Sequence, residues 1–90
     1  MPRKTKAASL PPLRYIEHLL EGEGDITLGR IASIPCAATA CDEHQQLAML
    51  VRRDGETLMA LLTRLNAAIE LAYEQQQFID EINDGPDYSI

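Results

Sequence analysis

The longest stretch of the chain free of glycine and proline runs from Glu56 to Asp84, and an apolar stripe threads it. Leu58, Leu62, Leu65, Ile69, Ala72, Gln76 and Ile79 follow one another at alternating spacings of four and three. That spacing lines one face of an α-helix, and Leu61 and Ala68 widen the face. Asp54-Gly55-Glu56-Thr57 precedes it as a turn with capping residues and an acidic first turn suited to the helix dipole. The pattern predicts a helix through about residue 74 that frays across Gln75-Gln76-Gln77. As a heptad seam the stripe holds only about three repeats, too few for a free-standing coiled coil. It must therefore pack mainly on the rest of the chain, with part of Leu58 to Ile69 left for a dimer seam.

The first half offers shorter elements to meet it. Residues 1–10 (MPRKTKAASL) show no apolar periodicity and are expected to form a flexible basic tail. Pro11 and Pro12 suit a first helical turn, and Leu13, Ile16, Leu19 and Leu20 recur at helical spacing up to Gly22, which predicts a first helix over 12–21. Ile26, Leu28, Ile31 and Ile34 are β-compatible, and Leu47, Met49 and Val51 alternate. The reading is a hairpin of strands over 26–40 and 46–52, turning at Asp42-Glu43-His44-Gln45, with Pro35 at an edge or bulge. The competing reading makes 42–53 a short helix capped by Asp42. Gly85-Pro86 ends order, so residues 11–84 form one domain and 85–90 a flexible end.

Ninety residues bury only roughly 60% of the unfolded surface. With Tyr15, Tyr73, Phe78 and Tyr88 the only aromatics, the core is aliphatic and a homodimer is expected to complete it. The sequence has no apolar run near the span of a bilayer and no signal-peptide pattern. Two cysteines do not make a disulfide framework. These features point to a cytoplasmic, reducing setting and exclude a membrane partner. Charge is laid out unevenly around the net value of −6. Arg3, Lys4, Lys6 and Arg14 are the only charges through residue 14, whereas no Lys or Arg follows Arg64 and six carboxylates accumulate after it. An acidic body repels phosphates, so nucleic-acid contact is confined to the arm of Arg3, Lys4 and Lys6.

No constellation commits the chain to catalysis, to a metal or to a cofactor. Cys36, Cys41 and His44, with His18 as a fourth donor, form a loose set instead of the tight knuckles that zinc requires. If both cysteines lie on one strand, their opposite parity sends them to opposite faces. Cys36 or Cys41 with His44 and Asp42 can be written as a nucleophilic trio, but nearness in sequence does not make triad geometry. Gly22-x-Gly24 follows a helix and carries Glu21, Glu23 and Asp25, which would repel a phosphate. The acidic C-terminal stretch is more informative. Phe78, Ile79 and Ile82 stand as apolar anchors among Glu74, Asp80 and Glu81, a composition typical of partner-binding segments.

From Leu47 through Asp54-Gly55-Glu56-Thr57-Leu58 to Ala67-Ala68-Ile69-Glu70-Leu71, the chain resembles the strand-to-helix passage of HicB-type antitoxin domains. The family's Leu-Pro-Gly-Cys passage is not reproduced: Ile34-Pro35-Cys36 stands too far upstream, and no family is assigned on this stretch. The expected architecture is α+β, a small α-β-β-α domain with a two-stranded hairpin packed against its helices, the alternative being an all-α helical bundle. The expected function is that of a non-enzymatic accessory or regulatory protein, of the kind phages and plasmids carry, acting on an unidentified protein partner. A DNA-associated regulator or antitoxin-like module using the basic arm is the second reading.

Overall fold

The computed structural model describes residues 13–83; the arm of Arg3, Lys4 and Lys6 and the segment 85–90 lie outside them. The elements are α1 (Arg14–Glu21), β1 (Asp25–Ile31), β2 (Ile34–Cys41), β3 (Gln46–Val51), α2 (Leu58–Gln75) and β4 (Ile79–Asp80). The class is α+β, but the chain order is α-β-β-β-α-β, so the expected two-stranded hairpin is corrected to a four-stranded mixed sheet. Its order is β1-β2-β3-β4, with β4 parallel to β3 and the other pairs antiparallel. No helix among the described residues is long and apolar enough to cross a membrane.

The expected strand 26–40 is two strands. Between them the chain turns at Ala32-Ser33, with Ala32 in the left-handed region at φ 53°. Pro35 does fall at a bulge: Gly29 pairs with Ala37 and Ile31 with Ile34, so Pro35 and Cys36 together oppose Arg30. Gly29 adopts φ 140°, which side-chain-bearing residues rarely reach. A second bulge lies on β3, where Ala40 pairs with Ala48 but Cys41 pairs with Gln46. The extra residue there lets Leu47 and Ala48 both enter the core.

Both helices pack on one face of the sheet. Ile16 and Leu19 of α1, Ala38 and Ala40 of β2, Leu47, Ala48 and Leu50 of β3, and Leu61, Leu65, Ala68, Ile69 and Ala72 of α2 form one buried cluster. The buried face of α2 is thus centred on Leu61 and Ala68, the residues expected only to widen the stripe. Leu58 is 45% exposed and Leu62 half-buried. The spacing 61, 65, 68, 69, 72 is the broad face that a helix offers to a sheet, in contrast to the narrow seam of a coiled coil. Alanines on both surfaces let the layers approach closely. Gly24 also permits a close approach, since a Cβ there would lie 2.3 Å from Leu19 Cγ.

The start of α1 is held from a distance. Its N-cap residue, Leu13, has no side-chain oxygen to offer. Asn66 on α2 fills the role instead: its Oδ1 accepts from the backbone N–H groups of Tyr15 at 2.8 Å and Ile16 at 3.0 Å. One amide thereby satisfies two donors that a helix start leaves unpaired. Tyr15 Oη adds a second tie, donating to Glu74 Oε2 at 3.1 Å, and this bond holds the phenol's pKa above its ordinary value of 10.0. Asn66→Ala is expected to lower the unfolding free energy by about 1 kcal/mol, the usual value of a lost cap. In hydrogen-exchange measurements the amides of Tyr15 and Ile16 should open faster than those of α2. Unchanged exchange at these two amides would refute the tie.

Candidate functional site

The region singled out in the sequence, Glu74 to Ile82, begins where α2 stops. Gln76 sits in the left-handed region (φ 52°, ψ 35°) and both its N–H and that of Gln77 turn back to the Leu71 carbonyl, a closure that ends a helix without glycine. The reversal brings Ile79 opposite Ala48 and Asp80 opposite Met49 in parallel register. Ile79 therefore packs against the core, and Phe78, just before it, is left 44% exposed. Asp80 closes a tight turn: Oδ1 accepts from the N–H groups of Ile82 at 3.1 Å and Asn83 at 2.9 Å, and Oδ2 from the Asn83 amide at 2.9 Å. Burial pushes the Asp80 pKa upward, but the Asn83 amide and the two N–H groups outweigh it and hold it below 3.8.

Glu81 is drawn inward, to the end of β3. Its N–H donates to the Met49 carbonyl at 2.7 Å and its Oε1 accepts from Val51 N–H at 2.8 Å. Oε2 meets Arg64 Nη1 at 2.9 Å. Arg64 is the hub of this region. Its Nε and Nη2 grip Glu56 at 2.8 and 3.0 Å, and Nη2 also donates to the Val51 carbonyl at 2.9 Å. Glu56 in turn accepts from Arg53 N–H at 3.0 Å. The bidentate contact is strongly charge-assisted and, with the Arg53 N–H, holds the Glu56 carboxyl down at about 2. Glu56 was expected to serve the dipole of α2 from its first turn. It lies before the helix instead, and the cap is Thr57, whose Oγ1 accepts from Ala60 N–H at 3.1 Å.

Of the six residues singled out, the fold gives three a structural anchor: Ile79 against the core, Asp80 in its turn and Glu81 on Arg64. Phe78 and Glu74 lie on the surface and Ile82 is half-buried. A cavity of about 230 Å³ opens between α2 and β4, with Leu50, Ala67, Leu71 and Ile79 along its walls and Arg64 and Glu81 at one end. Sequence reasoning missed Arg64 and Asn66. The signal for Arg64 was its place on α2 between Leu61 and Leu65, at the border of the buried face.

The loose cysteine and histidine set is dispersed in part. Cys36 packs against the helix-side core and Cys41, five residues on along β2, lies in the register of the opposite face. Both thiols are free. His18 and His44 do line one cleft of about 220 Å³ with Asp42. The N–H groups of His44 and Gln45 both donate to Asp42 Oδ1 at 2.8 Å and hold its carboxyl below the ordinary range. Among the described residues, no group of three or more His, Cys, Asp or Glu is arranged to hold a metal ion.

Because the Glu56 pKa is depressed in the folded chain, its contribution to stability is complete above its ordinary value of 4.5 and is lost as the pH falls toward 2. In urea titrations at stepped pH, Glu56→Gln should lower stability at neutral pH and flatten the loss over that acid window. An acid limb identical to that of the parent would show that the pair with Arg64 does not form. Comparison of the chain with protein-family models, with curated proteins and with solved structures returns no match.

Proposed function

We propose that the protein is a non-enzymatic accessory or regulatory protein that binds another protein where α2 ends and β4 begins. The observation that carries this reading is Phe78, an aromatic ring 44% exposed on a connection whose two ends are fixed by Gln76 and β4. A ring presented on a rigid segment makes an effective anchor, because little conformational freedom is lost on binding. The cavity that the next residue, Ile79, helps to line has apolar walls and one charged end, the composition that a docked side chain needs for both affinity and orientation. Glu74 and the carboxylates that follow favour a partner segment with basic residues around an apolar one. The shifted carboxyls at Asp42, Glu56 and Asp80 all owe their low values to hydrogen bonds that hold turns and strand ends, which supports a structural role for them over a catalytic one. Two free thiols, on opposite faces of one strand, fit the reducing cytoplasm in which we place the protein.

The test is capture from a lysate treated with nuclease, followed by titration of the identified partner against purified variants. Phe78→Ala and Ile82→Ala should each weaken binding by about tenfold or more, with the far-ultraviolet circular dichroism unchanged. Retention of nuclease-sensitive material alone would move the function to the basic arm, and an affinity unaffected by either substitution would reject this surface.

A further inference from the structure

α2 stops at Gln75, yet no breaker in the sequence ends it there. Neither glycine nor proline occurs from Glu56 to Asp84. The spacing of the buried face also runs on, since Ile79 stands seven residues after Ala72, two turns along the same side. The helix is closed by Gln76 instead, at φ 52° and ψ 35°. A residue with a Cβ resists that left-handed region, which glycine enters freely. The strand beyond it is short: β4 pairs Ile79 and Asp80 with Ala48 and Met49 of β3.

Residues 76–83 therefore have two local solutions, and tertiary contacts choose between them. In the strand form Ile79 packs against the core and Asp80 closes its turn on Ile82 and Asn83. Glu81 meets Arg64 Nη1 at 2.9 Å and accepts from Val51 N–H at 2.8 Å. In a helical form the same backbone groups would pair along α2, and Gln76 would leave its strained conformation. Phe78 and Ile82 would stand four residues apart and Ile79 and Ile82 three, which gathers on one side three residues that the strand form separates. Against the helix stand Asp80 and Glu81. They would put negative charge in its last turns, and no Lys or Arg follows Arg64 to offset it.

We propose that residues 76–83 are a strand-to-helix switch, held in its strand form by Glu81 on Arg64. Release of that contact lets α2 run on through Asn83. The helix lengthens by about 12 Å, and the edge of β3 from Ala48 to Val51 is bared. The strand form is the ground state, so Phe78 stays on its fixed connection until the clamp opens. The inference concerns the chain by itself and does not rest on a partner at Phe78.

Backbone chemical shifts and amide exchange of the full chain, measured by nuclear magnetic resonance, test the switch. The parent should show extended shifts at Ile79 and Asp80. Glu81→Ala should replace them with helical shifts over residues 77–82, with those amides still slow to exchange. Glu81→Gln keeps an oxygen for Val51 but loses the charge facing Arg64, so it is the milder variant and should show the same change in part. In either background, Gln76→Gly relieves the strain of the strand form and weakens the helix. It should move the balance back toward the strand by about tenfold or more. Gln76→Ala should move it further toward the helix. Gln76 is exposed, so this pair of substitutions leaves the core untouched. Random-coil shifts with fast exchange over 77–82 in both Glu81 variants would overturn the proposal, because the freed segment would have no second form. Extended shifts kept in both would overturn it too, since β4 would not depend on the clamp. So would a balance that Gln76→Gly and Gln76→Ala leave equal.

Discussion

Four pieces of the chain meet at the Arg64 guanidinium: the end of β3, the loop before α2, α2 itself and the residue after β4. Four of its five N–H groups have partners, divided between two carboxylates and one backbone carbonyl. The Arg64 side chain is 22% exposed and that of Glu56 only 9%. Taking such groups partly out of water is costly, and an ion pair of this kind does not by itself stabilise a fold. What it supplies is location. The hydrophobic contacts of α2 would tolerate some sliding over an alanine-rich sheet, but a planar fork with fixed donors does not. Glu56 and Glu81 hold it from two sides, so the angle at which α2 leaves β3 and the place where the chain rejoins the sheet are set together.

The rest of the molecule follows from that placement. With α2 fixed across β2 and β3, the space over β1 is left for α1, whose first turn is capped by Asn66. A helix of eight residues is too short to persist alone in water. Its stability comes from the two apolar residues it buries, Ile16 and Leu19, and from an amide lent by its neighbour. The helices thus form one layer in which the short member depends on the long one.

Much of this was legible in the sequence, where local rules were enough. The glycine- and proline-free stripe marked α2, the apolar repeat up to Gly22 marked α1, and Pro35 marked a bulge. The split of 26–40 into two strands was not legible, because Ser33 signals a turn only weakly and neither glycine nor asparagine marks the left-handed position at Ala32. Ala32 is held in its left-handed conformation by the pairing on either side. β4 was hidden for a related reason. Ile79 continues the spacing of the helical stripe, and only the reversal at Gln76 moves it from helix to sheet. Around the candidate site, apolar periodicity picked out Phe78, Ile79 and Ile82. It could not separate the exposed ring from the isoleucine that packs against the core, nor show that Glu81 turns inward to a cation seventeen residues earlier. Those distinctions depend on which distant groups the fold brings within reach.

The parallel pairing of β4 also orders events in time. β1, β2 and β3 join through short connections and can assemble from neighbours in the chain, with little loop entropy to overcome. β4 has only two residues to pair, and all of α2 lies between it and its partner strand. It cannot associate until the helix has docked and carried the chain back across the sheet. The last strand is therefore a latch on a structure already assembled, and it is the natural first point of local opening when the native state fluctuates. Each such opening would free Glu81 from Arg64 and uncover Leu50 and Ile79 briefly, while the three-stranded meander beneath stays closed.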